Sequence, residues 1–379
     1  MGFACDWGKV PEESWSGTPW GLRAALGRRT GVTDLGVGYS ASRDFWKYAY
    51  ARRRYGKWIS AYQWSSSWDR AVRRKLRASL GEASVDAVVE VGDLARLDVP
   101  FYVYQDLSFD VLERYFDPEV GIPGFKGIDL ETIKRRRERQ REIYEAATGI
   151  FAMSEWFADT LVDWSGIPPE KVAVVYAGLN SIETQEVPGS ETSDPPSPGS
   201  SKLLFVGRDF FRKGGDIVVA ALKLLRGEYS PDVELTVAGP AAWPLPGGVP
   251  EGVVFLGDRP TAEVARLYRE HDLFVMPSRF EAFGIVFREA LANGLPVIGR
   301  SAFALPEIIT PGKNGALVDD DDPEELARAV VAVLENPEIR RFTIRAAKDV
   351  RERFSWDAVA GRMLEVISRP SFASSRIET

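Results

Sequence analysis

Residues 273–299 read LFVMPSRFEAFGIVFREALANGLPVIG, and three short patterns follow one another in them. LFVMPS is an apolar run of strand length that stops at proline and serine. GIVFREALANG repeats its apolar residues at helical spacing and closes on Asn293-Gly294, a helix-stop signal. PVIG is a strand again. Strand, helix and strand in succession predict a parallel crossover unit, which needs helices packed over the sheet. Within this apolar setting stand two carboxylates, Glu281 and Glu289, and a buried carboxylate costs free energy unless something pairs with it. Glu281 lies in the turn before a helix that starts near Gly284, and Glu289 lies near the middle of that helix. The two therefore do not form an acid/base couple; each is suited to accept hydrogen bonds from hydroxyls. Phe283, Gly284, Ile285 and Val286 open the helix and present backbone N–H groups.

The same alternation extends outward. KLLFVG, VELTVAG and VVFLG read as strands, while GGDIVVAALKLL, PTAEVARLYREH and PEELARAVVAVLEN read as helices. The first half is less regular but of the same kind. VDAVVEVG, VPFYVYQD, GIFAMS and KVAVVYAGLN are strands; DLETIKRRRERQREIYEAAT and EWFADTLVDWSG are helices. Between the halves, Glu183 to Ser201 holds four prolines and two glycines among Ser, Glu and Thr, and reads as a flexible linker. The expected organisation is a first α/β domain over 1–182, the linker over 183–201 and a second domain over 202–345. A C-terminal helix over 346–367 packs back on the first domain, and 368–379 is a tail. Both domains are doubly wound and Rossmann-like, facing one another across a cleft, with ligands at the carboxyl ends of their strands.

Composition narrows the chemistry. The single cysteine, Cys5, rules out an intrachain disulfide and thiolate clusters, and the single histidine, His271, rules out His-rich metal sites. A Ser-His-Asp hydrolase would have to use His271, which sits where a helix end enters an apolar strand and reads as structural. No metal or other cofactor is expected. A net charge of −7 argues against nucleic acid as the main partner. No apolar run approaches bilayer length, and the N-terminus lacks a secretion signal, so a cytoplasmic location is expected. Charge is uneven, however: residues 43–77 hold 11 Lys/Arg against 2 Asp/Glu, interleaved with aromatics. Either this is a pair of surface helices whose aromatics face the core, or it is a patch that meets anionic lipid or an anionic, stacking acceptor. The second option gives the chain a peripheral place at the inner membrane face.

In LLFVGRDFFRKGGD a strand ends at Gly207, Arg208 and Lys213 follow, and Gly214-Gly215 open a helix. A glycine-lined turn, a helix N-terminus and two cations suit a diphosphate; a surface turn with two incidental cations is the plain alternative. LGVGYSA (35–41) matches the dinucleotide fingerprint but lacks the acidic residue about 20 positions on, and reads as a chance match.

Taken together these stretches carry a resemblance. EAFGIVFRE resembles the E-x7-E motif of retaining nucleotide-sugar glycosyltransferases of the GT-B fold, family 4 type (group 1 glycosyltransferases). LFVGRDFFRKGGD resembles that family's phosphate loop, MSEWFADTLVDWSGIPPEKVAVVYAGLN its segment before the domain linker, and SGTPWGLRAAL its N-terminal glycine loop. The likeness spans about residues 80–365, and residues 1–80 only loosely. It implies that Glu289 binds the donor ribose and that Glu281 contacts the transferred sugar. It implies that the N–H groups of Phe283 to Val286 hold sugar and phosphate, and that Arg208 and Lys213 neutralise the departing diphosphate. Gly17 and Gly207 face the donor, and the base lies near Gly239 and Arg259. Relatives carry a histidine at the end of an N-domain strand where this chain has Gln105 and Asp106. Asp106 is expected to face a sugar there, with Gln105 supplying an amide in place of the ring, or else Asp106 caps the next helix. The expected activity is transfer of a sugar from a nucleotide-diphosphate donor to a hydroxyl acceptor, with retention and without metal. The alternatives are a nucleotide-sugar epimerase or hydrolase, and a catalytically silent binding domain.

Overall fold

The computed structural model describes residues 1–38, 41–54, 57–125, 127–180 and 201–369. The linker expected over 183–201 falls outside them except for Ser201, as do Tyr39 and Ser40 of the fingerprint match and the tail from residue 370.

The described residues form fourteen strands, numbered in chain order. The first eight are β1 (Gly2–Ala4), β2 (Thr33–Asp34), β3 (Ala51–Arg54), β4 (Lys57–Ser60), β5 (Val88–Val91), β6 (Phe101–Gln105), β7 (Gly149–Ala152) and β8 (Val172–Val174). The other six are β9 (Lys202–Val206), β10 (Glu234–Ala238), β11 (Val253–Gly257), β12 (Leu273–Met276), β13 (Val297–Arg300) and β14 (Gly315–Val318). The chain divides into two compact units: Met1–Gly178 with Trp356–Thr379, and Leu179–Ser355.

The first unit is built on a parallel sheet in the order β2-β1-β5-β6-β7-β8. Every residue of β5, β6 and β7 is buried, as expected where helices cover both faces of a sheet. Val88, Phe101, Val103, Ile150, Phe157 and Leu161 form its core. The basic, aromatic stretch is not a pair of helices. A helix over Ala41–Ala49 is followed by the antiparallel hairpin β3–β4, with Arg53 opposite Trp58, and then by a helix over Ser66–Gly81. Gly56 disfavours helix between the two runs, and Trp58 and Ile59 favour strand. Its aromatics divide: Tyr62 and Trp68 are buried, whereas Phe45, Tyr48 and Trp58 are 66%, 82% and 74% exposed. LGVGYSA follows β2, a two-residue edge strand, rather than a central strand of the kind a dinucleotide site uses.

The second unit has a parallel sheet in the order β11-β10-β9-β12-β13-β14, with its core on Leu204, Phe205, Phe274, Val275, Phe287 and Ile298. The C-terminal segment expected as one helix over 346–367 is two. Pro337–Arg353 belongs to the second unit, and Trp356–Ile367 packs on the helix Thr18–Arg29 of the first. The Trp356 indole lies so close to the backbone at Gly21 and Gly178 that neither position has room for a Cβ. Among the described residues no helix is long and apolar enough to cross a membrane.

Candidate functional site

In the second sheet β10 and β11 lie to one side of β9, and β13 and β14 lie beyond β12. The strand order therefore reverses between β9 and β12, the position at which doubly wound sheets bind ligands beyond their carboxyl ends. The two loops singled out in the sequence are the ones that leave β9 and β12. The first runs from Gly207 to the helix Gly215–Glu228, and the second from Pro277 to the helix Ile285–Ala292. Both helices are entered through a left-handed glycine, Gly214 at φ +74° and Gly284 at φ +73°. At Gly214 no side chain would fit, because the carbonyl of Pro277 occupies the place of a Cβ. The loops thus touch backbone to backbone.

Lys213 and Glu281 meet between them. The Lys213 ammonium donates to Glu281 Oε2, and the two side chains are 12% and 10% exposed. Glu281 also accepts from the Ser278 hydroxyl (3.4 Å) and from the Gly284 N–H (3.2 Å). Burial pushes the Glu281 carboxyl up, but Lys213 and Arg212 outweigh it and hold the group below the usual carboxylate range. Burial pulls Lys213 below its usual range against the pull of Glu281. The Gly284 N–H, expected to be open, is thus engaged by Glu281. The groups left without an intrahelical carbonyl are those at the first helical positions, Ile285 and Val286.

Arg208 behaves differently from Lys213. Its side chain is 75% exposed and pairs with Asp258, on the turn after β11, at 3.3 Å. Arg259, beside it, pairs with Glu263 at 3.5 Å. Gly239, at the end of β10, has φ +122°, and a Cβ there would sit 2.5 Å from the carbonyl carbon of Gly207. Glu289 is 4% exposed. Its carboxylate accepts from the Asn180 N–H (3.1 Å) and from the Tyr268 hydroxyl (3.4 Å). Burial, followed by the charge of Glu289, pushes the Tyr268 hydroxyl well above its ordinary pKa.

His271 is 6% exposed, with one ring nitrogen 2.7 Å from the Leu267 carbonyl and the other 2.7 Å from the Thr236 hydroxyl. Both nitrogens serve the fold, and burial depresses the ring's pKa.

The first sheet reverses between β1 and β5. The loop after β1 ends in three successive residues with positive φ, Trp15 (47°), Ser16 (57°) and Gly17 (88°), and Gly17 caps the helix Thr18–Arg29. Two of these are not glycine, and each such residue costs about 1–2 kcal/mol. Gln105 ends β6 one strand further on. Its amide is engaged at both ends, accepting from the Tyr144 hydroxyl (2.5 Å) and donating to Asp93 (3.3 Å). The helix after it is capped by Ser108, which accepts from the Val111 N–H, so Asp106 does not fill that role.

Sequence reasoning did not find the residues that tie the loops together. Arg279 chelates Asp216 (2.8 Å twice), reaches Asp321 (2.5 Å) and donates to the Phe211 carbonyl (2.5 Å). Arg212 donates to the Phe280 carbonyl at 2.8 Å, and the Arg279 N–H to the Arg212 carbonyl at 2.8 Å. The available signal was charge inside an apolar motif: Arg279 opens RFEAFG and Asp216 follows the Gly-Gly pair.

Two Rossmann-like sheets, each with its reversal point, and a loop pair of this kind define a GT-B-type protein. Residues 193–350, which take in most of the second unit, match the family described as "Glycosyl transferases group 1". The chain is 31% identical over 252 residues to the D-inositol 3-phosphate glycosyltransferase of Corynebacterium kroppenstedtii, covering 61% of this chain and 55% of that protein. It spans about half the length of the curated relatives it matches. Among solved structures it resembles the sucrose-phosphate synthase of Thermosynechococcus elongatus (TM-score 0.72, 18% identity, 99% of this chain and 100% of that). It also resembles Anabaena HepE in complex with UDP and glucose (TM-score 0.64, 18% identity, 97% of this chain and 99% of that). At these identities the two structures establish the fold.

Proposed function

We propose that the chain is a glycosyltransferase that moves a sugar from a nucleotide-diphosphate donor to a hydroxyl acceptor, with retention of configuration and without a metal. One observation carries this reading: Lys213 and Glu281 join two glycine-entered helix N-termini at the reversal point of the second sheet. A helix N-terminus favours an anion. An ammonium has three donors, and one is given to Glu281, which leaves two for phosphate oxygens. Breaking a sugar–diphosphate bond concentrates negative charge on the leaving oxygen. A fixed cation with N–H groups aimed at it, here Lys213 with Ile285 and Val286, lowers that barrier, by about 10²–10³ in rate per well-placed donor. Arg208, exposed at the rim, adds a second cation.

In this reading Glu281, held by three donors, keeps a remaining lone pair for a sugar hydroxyl. Glu289 takes the ribose, and its reorientation from Asn180 and Tyr268 accompanies binding. The base lies by Gly239 and Arg259, Gly17 faces the donor, and Asp106 faces the acceptor. The family match and the UDP-bound fold relative support the donor class. The exposed Phe45, Tyr48 and Trp58 among arginines support peripheral contact with an anionic membrane, or a lipid-linked acceptor, in the cytoplasm. Co-sedimentation with phosphatidylglycerol vesicles that vanishes at high salt is the expected result; equal recovery with neutral vesicles refutes the contact.

The donor reading is tested by titrating UDP, GDP, ADP and dTDP calorimetrically and by following donor consumption with and without sugar acceptors. Arg208→Gln changes an exposed side chain and leaves folding intact, so weaker nucleotide binding is a site effect. Binding of none of the four sinks the reading, and acceptor-independent consumption assigns an epimerase or hydrolase instead.

A further inference from the structure

The loop after β9 and the loop after β12 are joined by more than the Lys213–Glu281 pair. Arg279 is the hub. Its guanidinium is a planar fork, and both prongs meet the two oxygens of Asp216 at 2.8 Å, in the first turn of the helix that the first loop opens. Its Nε meets Asp321 at 2.5 Å, and Asp321 is held in turn by Arg300, whose guanidinium also reaches the Pro277 carbonyl at 3.4 Å. Bonds to main-chain carbonyls in both directions, Arg279 N–H to Arg212 and the Arg279 guanidinium to Phe211 one way and the Arg212 guanidinium to Phe280 the other, fix the register of one loop on the other. Lys213 and Glu281 stand next in the chain to Arg212 and Phe280, the residues so fixed. The Arg279 and Asp216 side chains are only 28% and 29% exposed, which gives their bonds more weight than a surface pair.

We propose that Arg279 is a positioning residue: with Asp216 and Asp321 it braces the two loops so that Lys213 and Glu281 keep the spacing the donor diphosphate requires. This rests on the donor reading above. A displacement of the order of 1 Å at such a site lowers rate about 10²-fold.

The test compares Arg279→Lys, Asp216→Ala and the double variant with wild type, measuring the Kd of whichever of UDP, GDP, ADP and dTDP binds, and KM and kcat for its sugar. Arg279→Lys keeps the charge but cannot form the fork. The brace predicts that it weakens nucleotide binding about tenfold, that kcat falls further than KM rises, and that Asp216→Ala does the same. The double variant is no worse than the poorer single variant. Arg340→Ala breaks an ion pair to Asp272 at the far end of β12 and serves as the control for mere destabilisation, with kcat and KM unchanged. Wild-type constants in Arg279→Lys, tighter binding in Asp216→Ala, or additive losses overturn the brace and assign Arg279 a direct pull on the anion or no part. A wild type that binds none of the four nucleotides refutes the donor reading and the brace's purpose with it. A wild type that binds, beside three variants that bind equally well, refutes the brace alone.

Discussion

Lys213→Met removes one charge from a buried pair and leaves a side chain of similar length. The Lys213 and Glu281 side chains are 12% and 10% exposed, so Glu281 loses its cation without gaining water. What remains to it are the Gly284 N–H at 3.2 Å, the Ser278 hydroxyl at 3.4 Å and the more distant charge of Arg212, all already present in wild type. Breaking a buried pair from one side costs about 3–5 kcal/mol. For a unit the size of Leu179–Ser355 this lowers the thermal midpoint by roughly 6–20 °C. In Lys213→Met/Glu281→Leu most of the loss returns, because apolar groups of similar volume replace a buried pair at little net cost. The pH dependence follows from the same charges. In wild type the Glu281 carboxyl is held below its ordinary 4.5, so the pair's contribution is complete above that value and is lost as pH falls through the folded value. In Lys213→Met burial dominates and pushes the carboxyl up. The folded variant then takes up a proton on acidification, and its deficit shrinks from pH 8 to pH 5. Scanning calorimetry at the two pH values reads both effects. A deficit under about 1 kcal/mol, or one equal at both pH values, refutes the reasoning.

Glu90 is fully buried on β5, and burial pushes its carboxyl up to about 8. The folded chain therefore holds a proton that the unfolded chain has released, and stability declines as pH rises from about 4.5 to about 8. Glu90→Gln removes that decline and stabilises the protein by on the order of 3 kcal/mol at pH 7, at about 1.4 kcal/mol per unit; an equal gain at pH 5 and pH 8 in urea unfolding contradicts this. Gly239→Ala sets a Cβ against the Gly207 backbone at φ +122° and should lose about 3 kcal/mol or more, together with nucleotide binding; a wild-type melting point disproves the close approach. Ser16→Gly relieves one left-handed residue and should gain up to about 1 kcal/mol after the added chain entropy. Destabilisation would show that Ser16 is not strained.

The alternation of strands and helices was legible because it is a local property. LFVMPS, GIVFREALANG and PVIG each carry their own period and stop signals, and they fold as β12, the helix Ile285–Ala292 and β13. The first unit was harder to read. β1 has three residues and β2 two, too short for any period to show, yet β1 lies beside β5 at the reversal point. In the basic stretch, aromatics at mixed spacing fitted helices as well as a hairpin, and only the pairing of Arg53 with Trp58 decides between them. The break between the last two helices fell at Phe354-Ser355, where neither glycine nor proline marks it.

Which residues become neighbours depends on the order of strands, and spacing in the chain carries no record of it. Lys213 and Glu281 are separated by 68 residues, and the sequence suggested separate tasks for them on separate loops. Adjacency of β9 and β12 makes them one ion pair, and that changes what each can do. A lone buried lysine tends to lose its proton and a lone buried glutamate to gain one. Paired, Glu281 is held ionised beside Lys213, which is the state the proposed diphosphate site requires. The same adjacency explains the cost that Arg279, Asp216, Asp321 and Arg300 represent. Four charged side chains at one loop junction are a poor choice for stability alone, since what partly buried pairs gain in attraction is largely offset by their desolvation. Their geometry instead fixes two loops to within hydrogen-bond tolerance, and fixed loops are what a charge-stabilising site needs at the moment of bond breaking.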